Sequence, residues 1–334
     1  MNKYTLLLNI FGWTFIAFGL LMAAARFYPV PEPTLGVSFS VKYAEELGLE
    51  PRVALEAILD EIRPEKIRFM SYWNRHEMTP GEYDFAELDW QFELAEQYDA
   101  KVLLAIGQRQ PRWPECHIPN WADELEDEQY EQALLNYLSA TTEHFGEHPQ
   151  LSGYHLENEA ANRAFGICPD FNNRFLRDKF DMVKQTDPHT PITISVSNQY
   201  GIPIQPPIAD KYAMSIYRQA HFRLWGRDVS WNYSFVPAHW HRLRAWAIQA
   251  VHQKETYVHE LQTEPWGESA TVNLTLAEQN ASMDAERILE NISYAEQIGS
   301  ESIYLWGAEW WYWRLTEFDD EHLWETVRDG VFGS

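Results

Sequence analysis

Basic side chains are scarce in this chain. Lys and Arg together number 26 against 50 Asp and Glu, which leaves a formal charge of −24. Nucleic acid and anionic lipid surfaces both require basic patches, so neither is expected as a main partner. The acidic excess serves solubility, with selection of a cationic ligand as the alternative. Cysteine is nearly absent, at 2 residues, and no Cys/His spacing suits zinc. His239 and His241 lie two apart on a predicted helix and so point to different faces. No metal or organic cofactor is expected. No Gly-rich phosphate loop follows the first strand signal, which speaks against a doubly wound nucleotide-binding sheet. Internal repeats and low-complexity tracts are also missing.

What is present begins at the N-terminus. No charge occurs between Lys3 and Arg26, and Leu6 to Ala25 is mostly apolar. As a helix, Tyr4 to Ala25 would be about 33 Å long, enough to cross a bilayer core. It reads as an uncleaved signal-anchor, or as a signal peptide with Ala23-Ala24-Ala25 as cleavage region, or as a buried core helix. The first two put the remaining chain outside the cytoplasm, and a single-pass anchor with the folded part outside is the expectation carried forward. Cys116 and Cys168 both fall in loops after predicted strands, so one disulfide fits an oxidising compartment. Two unpaired buried thiols are the other possibility.

Residues 28–34 form a proline-rich linker with no helix potential. From 35 to 334, strand and helix signals alternate. Short apolar runs lie at Leu35–Ser40, Lys66–Met70, Lys101–Ile106, Gly153–Leu156, Ile192–Val196, Tyr212–Ile216, Glu255–His259 and Ser302–Trp306. Helical periodicity lies between most of them, including one continuous stretch from Leu276 to Ile298. Between Asn198 and Asp210 the prolines 203, 206 and 207 exclude a full helix. This is the count of a (β/α)₈ barrel.

In such a barrel the chemistry sits where strands end. Polar and aromatic groups gather there: Arg68 and Trp73 at the second strand, Asn158 and Glu159 at the fourth, Ser197 and Asn198 at the fifth. Tyr217 follows the sixth, Glu260 ends the seventh, and Trp306 and Glu309 lie at the eighth. Two carboxylates on separate strands are what cleavage of a glycosidic bond needs, one to protonate the leaving oxygen and one to attack or stabilise the anomeric carbon. Glu159 competes with Glu157, since both would face one side of a regular strand. Glu260 competes with Glu264, which lies further past its strand.

The ordered set resembles the retaining glycoside hydrolases of clan A. Asn158-Glu159 and Glu260 carry the likeness, together with Ile67-Arg68-Phe69-Met70-Ser71-Tyr72-Trp73-Asn74-Arg75-His76-Glu77 and Pro80-Gly81-Glu82-Tyr83-Asp84-Phe85. It spans nearly all of the chain after the linker and does not single out a family within the clan. The resemblance implies Glu159 as general acid/base, Glu260 as nucleophile and Asn158 as partner of the sugar 2-hydroxyl, and it favours Glu159 over Glu157. Arg68 would keep the nucleophile charged. Tyr217 would donate to Glu260, Trp73 would line the cleft, Trp306 would floor a sugar subsite and Glu309 would bind sugar hydroxyls. Each of these also has a packing role as its alternative. The expected substrate is a β-linked glycan. A transglycosylase, a non-catalytic carbohydrate-binding barrel and an acidic interaction protein are the rival readings.

Overall fold

The computed structural model describes residues 3–162, 165–196, 201, 203, 207–224 and 227–333. Its strands are β1 (Thr34–Ser38), β2 (Lys66–Met70), β3 (Lys101–Ile106), β4 (Leu151–Leu156), β5 (Ile192–Val196), β6 (Lys211–Ile216), β7 (Gln219–Leu224), β8 (Arg227–Asn232), β9 (Glu255–Gln262) and β10 (Ser302–Trp306). Strands β7 and β8 form a separate antiparallel hairpin, which the sequence reading did not anticipate. The rest close a parallel barrel in the order β1-β10-β9-β6-β5-β4-β3-β2. Alternation within each strand sorts its side chains. Val102, Leu104 and Ile106 of β3 join the large apolar cluster under the helices, while Leu103 meets Ala213, Tyr257 and Tyr304 inside the barrel.

The helices are α1 (Lys3–Phe27), α2 (Val41–Glu46), α3 (Pro51–Ala57), α4 (Trp73–His76), α5 (Ala86–Gln97), α6 (Asp127–Phe145), α7 (Asn173–Thr186), α8 (Ala238–His252), α9 (Leu276–Ser282), α10 (Ala285–Glu296), α11 (Ala308–Phe318) and α12 (Glu321–Gly330). Among the described residues no helix lies between β5 and β6. The expected single helix from Leu276 to Ile298 is two. Met283 is extended, and the Asp284 side chain accepts from the Arg287 amide at 2.9 Å to cap a new helix. Local capping thus overrides continuous periodicity.

Outside the barrel, α1 is fastened by its last turn. Arg242 on α8 donates to the carbonyls of Ala25 and Tyr28, and its Nε donates to Ile298 at 3.2 Å. Phe18 meets Trp240 edge-on at 6.5 Å. Further along, Phe11, Trp13, Phe15, Leu20 and Leu21 are exposed. Among the described residues no helix is long and apolar enough to cross a membrane. A disulfide joins Cys116 and Cys168, tying the segment after β3 to the segment after β4.

Candidate active site

Arg68 on β2 is the hub. Its side chain is fully buried inside the barrel. Its Nη1 donates to Glu260 Oε1 at 2.8 Å and to the His259 carbonyl at 3.2 Å, and its Nη2 donates to Asn158 Oδ1 at 3.1 Å. One guanidinium fork thus spans from the end of β9 to the end of β4. Tyr217 donates to the other Glu260 oxygen at 3.0 Å, so each carboxylate oxygen has a donor. Burial pushes the Glu260 carboxyl up, Arg68 opposes this, and nearby Glu159 adds to it. The net direction is upward, so Arg68 offsets only part of the desolvation.

A β-bulge sets this geometry. Met214 pairs with Val258 but Ser215 pairs with Glu260, so β9 carries one extra residue; the pairing of β10 shows the same shift. Bulges break the in-out alternation. Both His259 and Glu260 consequently reach the interior network. His259 packs on His155 at 4.7 Å between ring centroids. Burial holds both imidazoles well below their ordinary range, and Arg68 reinforces this. They are neutral.

At the end of β4 the backbone leaves the strand conformation. Glu157 and Glu159 both have positive φ, 56° and 46°, a costly region for side chains with a Cβ. The turn separates two carboxylates that a regular strand would have aligned. Glu157 pairs with Lys179 on α7 and accepts from the Arg109 amide at 2.7 Å. Glu159 instead takes the Ser215 hydroxyl on Oε1 at 2.5 Å and the Asn162 amide on Oε2 at 2.7 Å, while its own N–H donates to Ser195 Oγ at 2.7 Å. Ser215 also lies 3.0 Å from His259 Nε2. Glu159, Asn158, Glu260, Arg68 and Tyr217 are therefore brought into one network, and Glu157 is kept out of it.

Two groups of site residues escaped the sequence reading. Glu115, in the loop after β3, accepts from Asn158 Nδ2 at 3.3 Å. Burial pushes its carboxyl up to about 8, with Glu260 adding to the shift and Arg109 opposing it. The signal for it is its place beside Cys116. The second group centres on Arg112, whose guanidinium lies 3.4 Å from the Tyr43 ring and 4.0 Å from the Trp306 ring. It binds Glu264 through both terminal nitrogens and lies 3.6 Å from Glu309. Nothing in the sequence pattern pairs residue 112 with residue 264.

The remaining expected positions divide. Trp306 stands at the mouth with Met70, Tyr72, Ala105 and Tyr217, but Arg112 covers one face of its ring. Glu309 does not meet open space: it is 1 % exposed, accepts from the Ser40 amide at 2.5 Å, and faces Arg112. Burial pushes it up to about 7, against Arg112. The start of α11 turns it inward, so it braces the β1 loop instead of binding sugar hydroxyls. Trp73 does not line the cleft either. It begins α4, is fully buried, and packs on Trp121, Tyr130 and Tyr137, with its indole donating to Glu77 at 2.6 Å. Ser197 and Asn198 lie outside the described residues.

Comparison with known proteins agrees with this layout. Residues 58–189 match the family model described as Glyco_hydro_42, β-galactosidase. No curated protein sequence matches the chain. Among solved structures, a polyextremophilic β-galactosidase from the haloarchaeon Halorubrum lacusprofundi is similar at TM-score 0.52 and 14% identity, over 81% of this chain and 52% of that one. A GH5_18 protein from Streptomyces cattleya, solved with Manβ1-4GlcNAc, is similar at 0.55 and 11%, over 82% and 70%. Endo-glycoceramidase II from Rhodococcus sp., solved as a lactosyl-enzyme intermediate, is similar at 0.51 and 14%, over 83% and 73%. The chain spans about half the length of the first of these. At such identities the likeness is one of fold. Together with the partial family match, it bears out the resemblance to clan A barrels and leaves the family within the clan open.

Proposed function

We propose that this barrel is a glycoside hydrolase that cleaves β-linked glycosides with retention of configuration. The observation that carries the reading is the Arg68 fork, which joins Glu260 at the end of β9 to Asn158 beside Glu159 at the end of β4. In the first step a Glu260 oxygen attacks the anomeric carbon, the bond to the leaving oxygen breaks, and Glu159 delivers its proton to that oxygen. In the second, water attacks the same carbon, Glu159 takes its proton, and the ester to Glu260 is released. Asn158 would hold the 2-hydroxyl of the sugar. Ser215 suits both states of Glu159. Its hydroxyl donates to the carboxylate, or accepts from the acid while donating to neutral His259. The mechanism calls for carboxyl groups about 5–5.5 Å apart, against about 6.5–9.5 Å for inversion.

The test is formation of a glycosyl-enzyme from an activated aryl glycoside. Glu260→Ala should form none, whereas Glu159→Ala should still form it, because that leaving group needs no proton. Equal loss by Glu159→Ala on the aryl glycoside and on a natural glycan would exclude the acid/base role. Products formed with and without an added sugar acceptor separate hydrolysis from transglycosylation. We also propose that α1 tethers the barrel to a membrane from the outside, a reading supported by its exposed Phe11, Trp13, Phe15, Leu20 and Leu21. Fractionation of the full chain, with mass measurement of its N-terminus and protease shaving of cells, tests this. A soluble product starting near Arg26 would rule out the tether.

A further inference from the structure

The loops that follow the two candidate catalytic strands meet above them. Phe165, in the segment after β4, packs edge-on against Trp266, in the segment after β9, at 5.7 Å between ring centroids. Strands β5 and β6 lie between β4 and β9 in the barrel, so this contact crosses their ends. The chain of rings continues on both sides. Trp266 meets Tyr217 at 5.3 Å, and Tyr217 holds Glu260. Phe165 meets Trp113, in the loop after β3, at 5.9 Å. One aromatic series thus runs from the candidate nucleophile to the outer surface.

Both ends of this arch are fixed from below. The buried Arg109 guanidinium donates to the Phe165 carbonyl at 2.8 Å, and the Ile167 amide donates to the Pro114 carbonyl at 2.9 Å. The Cys116–Cys168 disulfide ties the same two segments. Gly166 has φ +92°, and a Cβ there would lie 2.7 Å from Glu115 Cβ, so the segment sits directly on the Glu115 loop. On the far side, Ser282 accepts from the Trp266 amide at 2.9 Å and donates to its carbonyl at 3.2 Å. A roof held at so many points is part of the ground-state fold. Trp113 and Phe165 keep 56% and 38% of their surface exposed, which leaves apolar faces on the outer rim.

We propose that the Trp113–Phe165–Trp266–Tyr217 arch closes one end of the cleft, so that the protein acts on the terminal residue of short β-linked chains and not within long ones. This rests on the hydrolase reading above. A glycan passing through the mouth would have to displace the Phe165–Trp266 contact. A chain end needs only to enter beneath it, with the next ring resting on the rim. Phe165 and Trp266 are on this view specificity-determining residues, distinct from the groups that make and break bonds.

The experiment uses the full chain and end-labelled ladders of β-linked oligosaccharides, with an aryl glycoside as reference. Wild type should shorten each oligosaccharide by one residue at a time. Phe165→Ala and Trp266→Ala should retain aryl glycoside turnover and raise the ratio of internal to terminal cleavage by about threefold to tenfold, the scale of one lost aromatic pair. Phe165→Tyr should behave as wild type. Mid-length fragments from wild type, or an unchanged ratio in both alanine variants, would overturn the proposal. If Phe165→Ala does not fold, Trp266→Ala and the wild-type product pattern still decide. Absence of turnover on every glycoside, aryl ones included, would defeat the hydrolase reading and this proposal with it.

Discussion

Two buried arginines stand at the mouth of this barrel, and they are held in opposite ways. Arg68 comes from the middle of a strand, and its partners Asn158 and Glu260 stand at the ends of other strands. Arg112 comes from a loop with positive φ, and its partners Glu264, Glu309 and Tyr43 come from other loops and helix starts. The first cluster inherits its geometry from the barrel, whose closure fixes where each strand end lies. The second must be assembled by the loops themselves. Arg68 touches the groups proposed to do chemistry, whereas Arg112 is enclosed between two rings and two carboxyls. A buried charge of the first kind orients reactants, and one of the second kind keeps a surface in shape.

The sharpest way to break this comparison is to replace each guanidinium by an ammonium. Lysine keeps the charge but cannot span two acceptors with a rigid fork. Arg68→Lys should lower kcat/KM on an aryl glycoside by about 10²-fold or more, the scale of a donor lost in a water-excluded site. The loss should fall on kcat. Arg112→Lys should cost about tenfold or less, mostly in KM, with a drop in Tm at least as large as that of Arg68→Lys. Equal kcat losses in both variants would remove the distinction.

The difference in origin also explains what could be read without coordinates. All eight barrel strands follow from short apolar runs, and the strand-end rule then leads to Arg68, Asn158, Glu159, Tyr217 and Glu260. Periodicity has no hold on loops. Glu115 reaches the Asn158 amide only because its loop folds back beneath Gly166, and Arg112 reaches Glu264 across 152 positions of sequence. The choice between Glu157 and Glu159 depended on positive φ at both, which a two-residue alternation cannot express. Trp73 went astray for a related reason. The chain turns into α4 at that residue, so its side chain enters the helix layer instead of continuing along the strand end. The break at Met283–Asp284 was open to reading, since Asp is a favoured cap residue.

A smaller effect distinguishes the clusters by pH. An ordinary Glu titrates at 4.5, whereas Glu115 holds its proton to about 8 and Glu309 to about 7. Between those limits the folded chain binds more protons than the unfolded one, so these groups make stability fall as pH rises. Below 4.5 both states are protonated and the penalty is absent; above the folded values it is constant. Glu115→Gln and Glu309→Gln should therefore raise Tm at pH 8 relative to wild type and leave it nearly unchanged at pH 4.5. Only Glu115→Gln should also alter the pH–rate profile, because Glu115 touches Asn158 whereas Glu309 faces Arg112. A Tm gain that is equal at both pH values would mean that the carboxyls are not titrating in this way.

The smallest expected effect concerns a residue outside both clusters. Trp73 follows β2 closely in sequence, near Arg68, yet packs wholly among Trp121, Tyr130 and Tyr137. Trp73→Phe removes part of a ring and the indole donor to Glu77, whose other oxygen still accepts from the Gly81 amide at 2.7 Å. The expected loss of stability is about 1–2 kcal/mol, the scale of a partial core truncation with one hydrogen bond removed. Because no atom of this side chain reaches the Arg68 network or the mouth, kcat/KM should change by less than about twofold, within the experimental scatter of a well-folded variant. Denaturant unfolding gives the first quantity and aryl glycoside kinetics the second. A large kcat/KM loss with unchanged stability would return Trp73 to the cleft and undo the separation between strand-end chemistry and helix-layer packing.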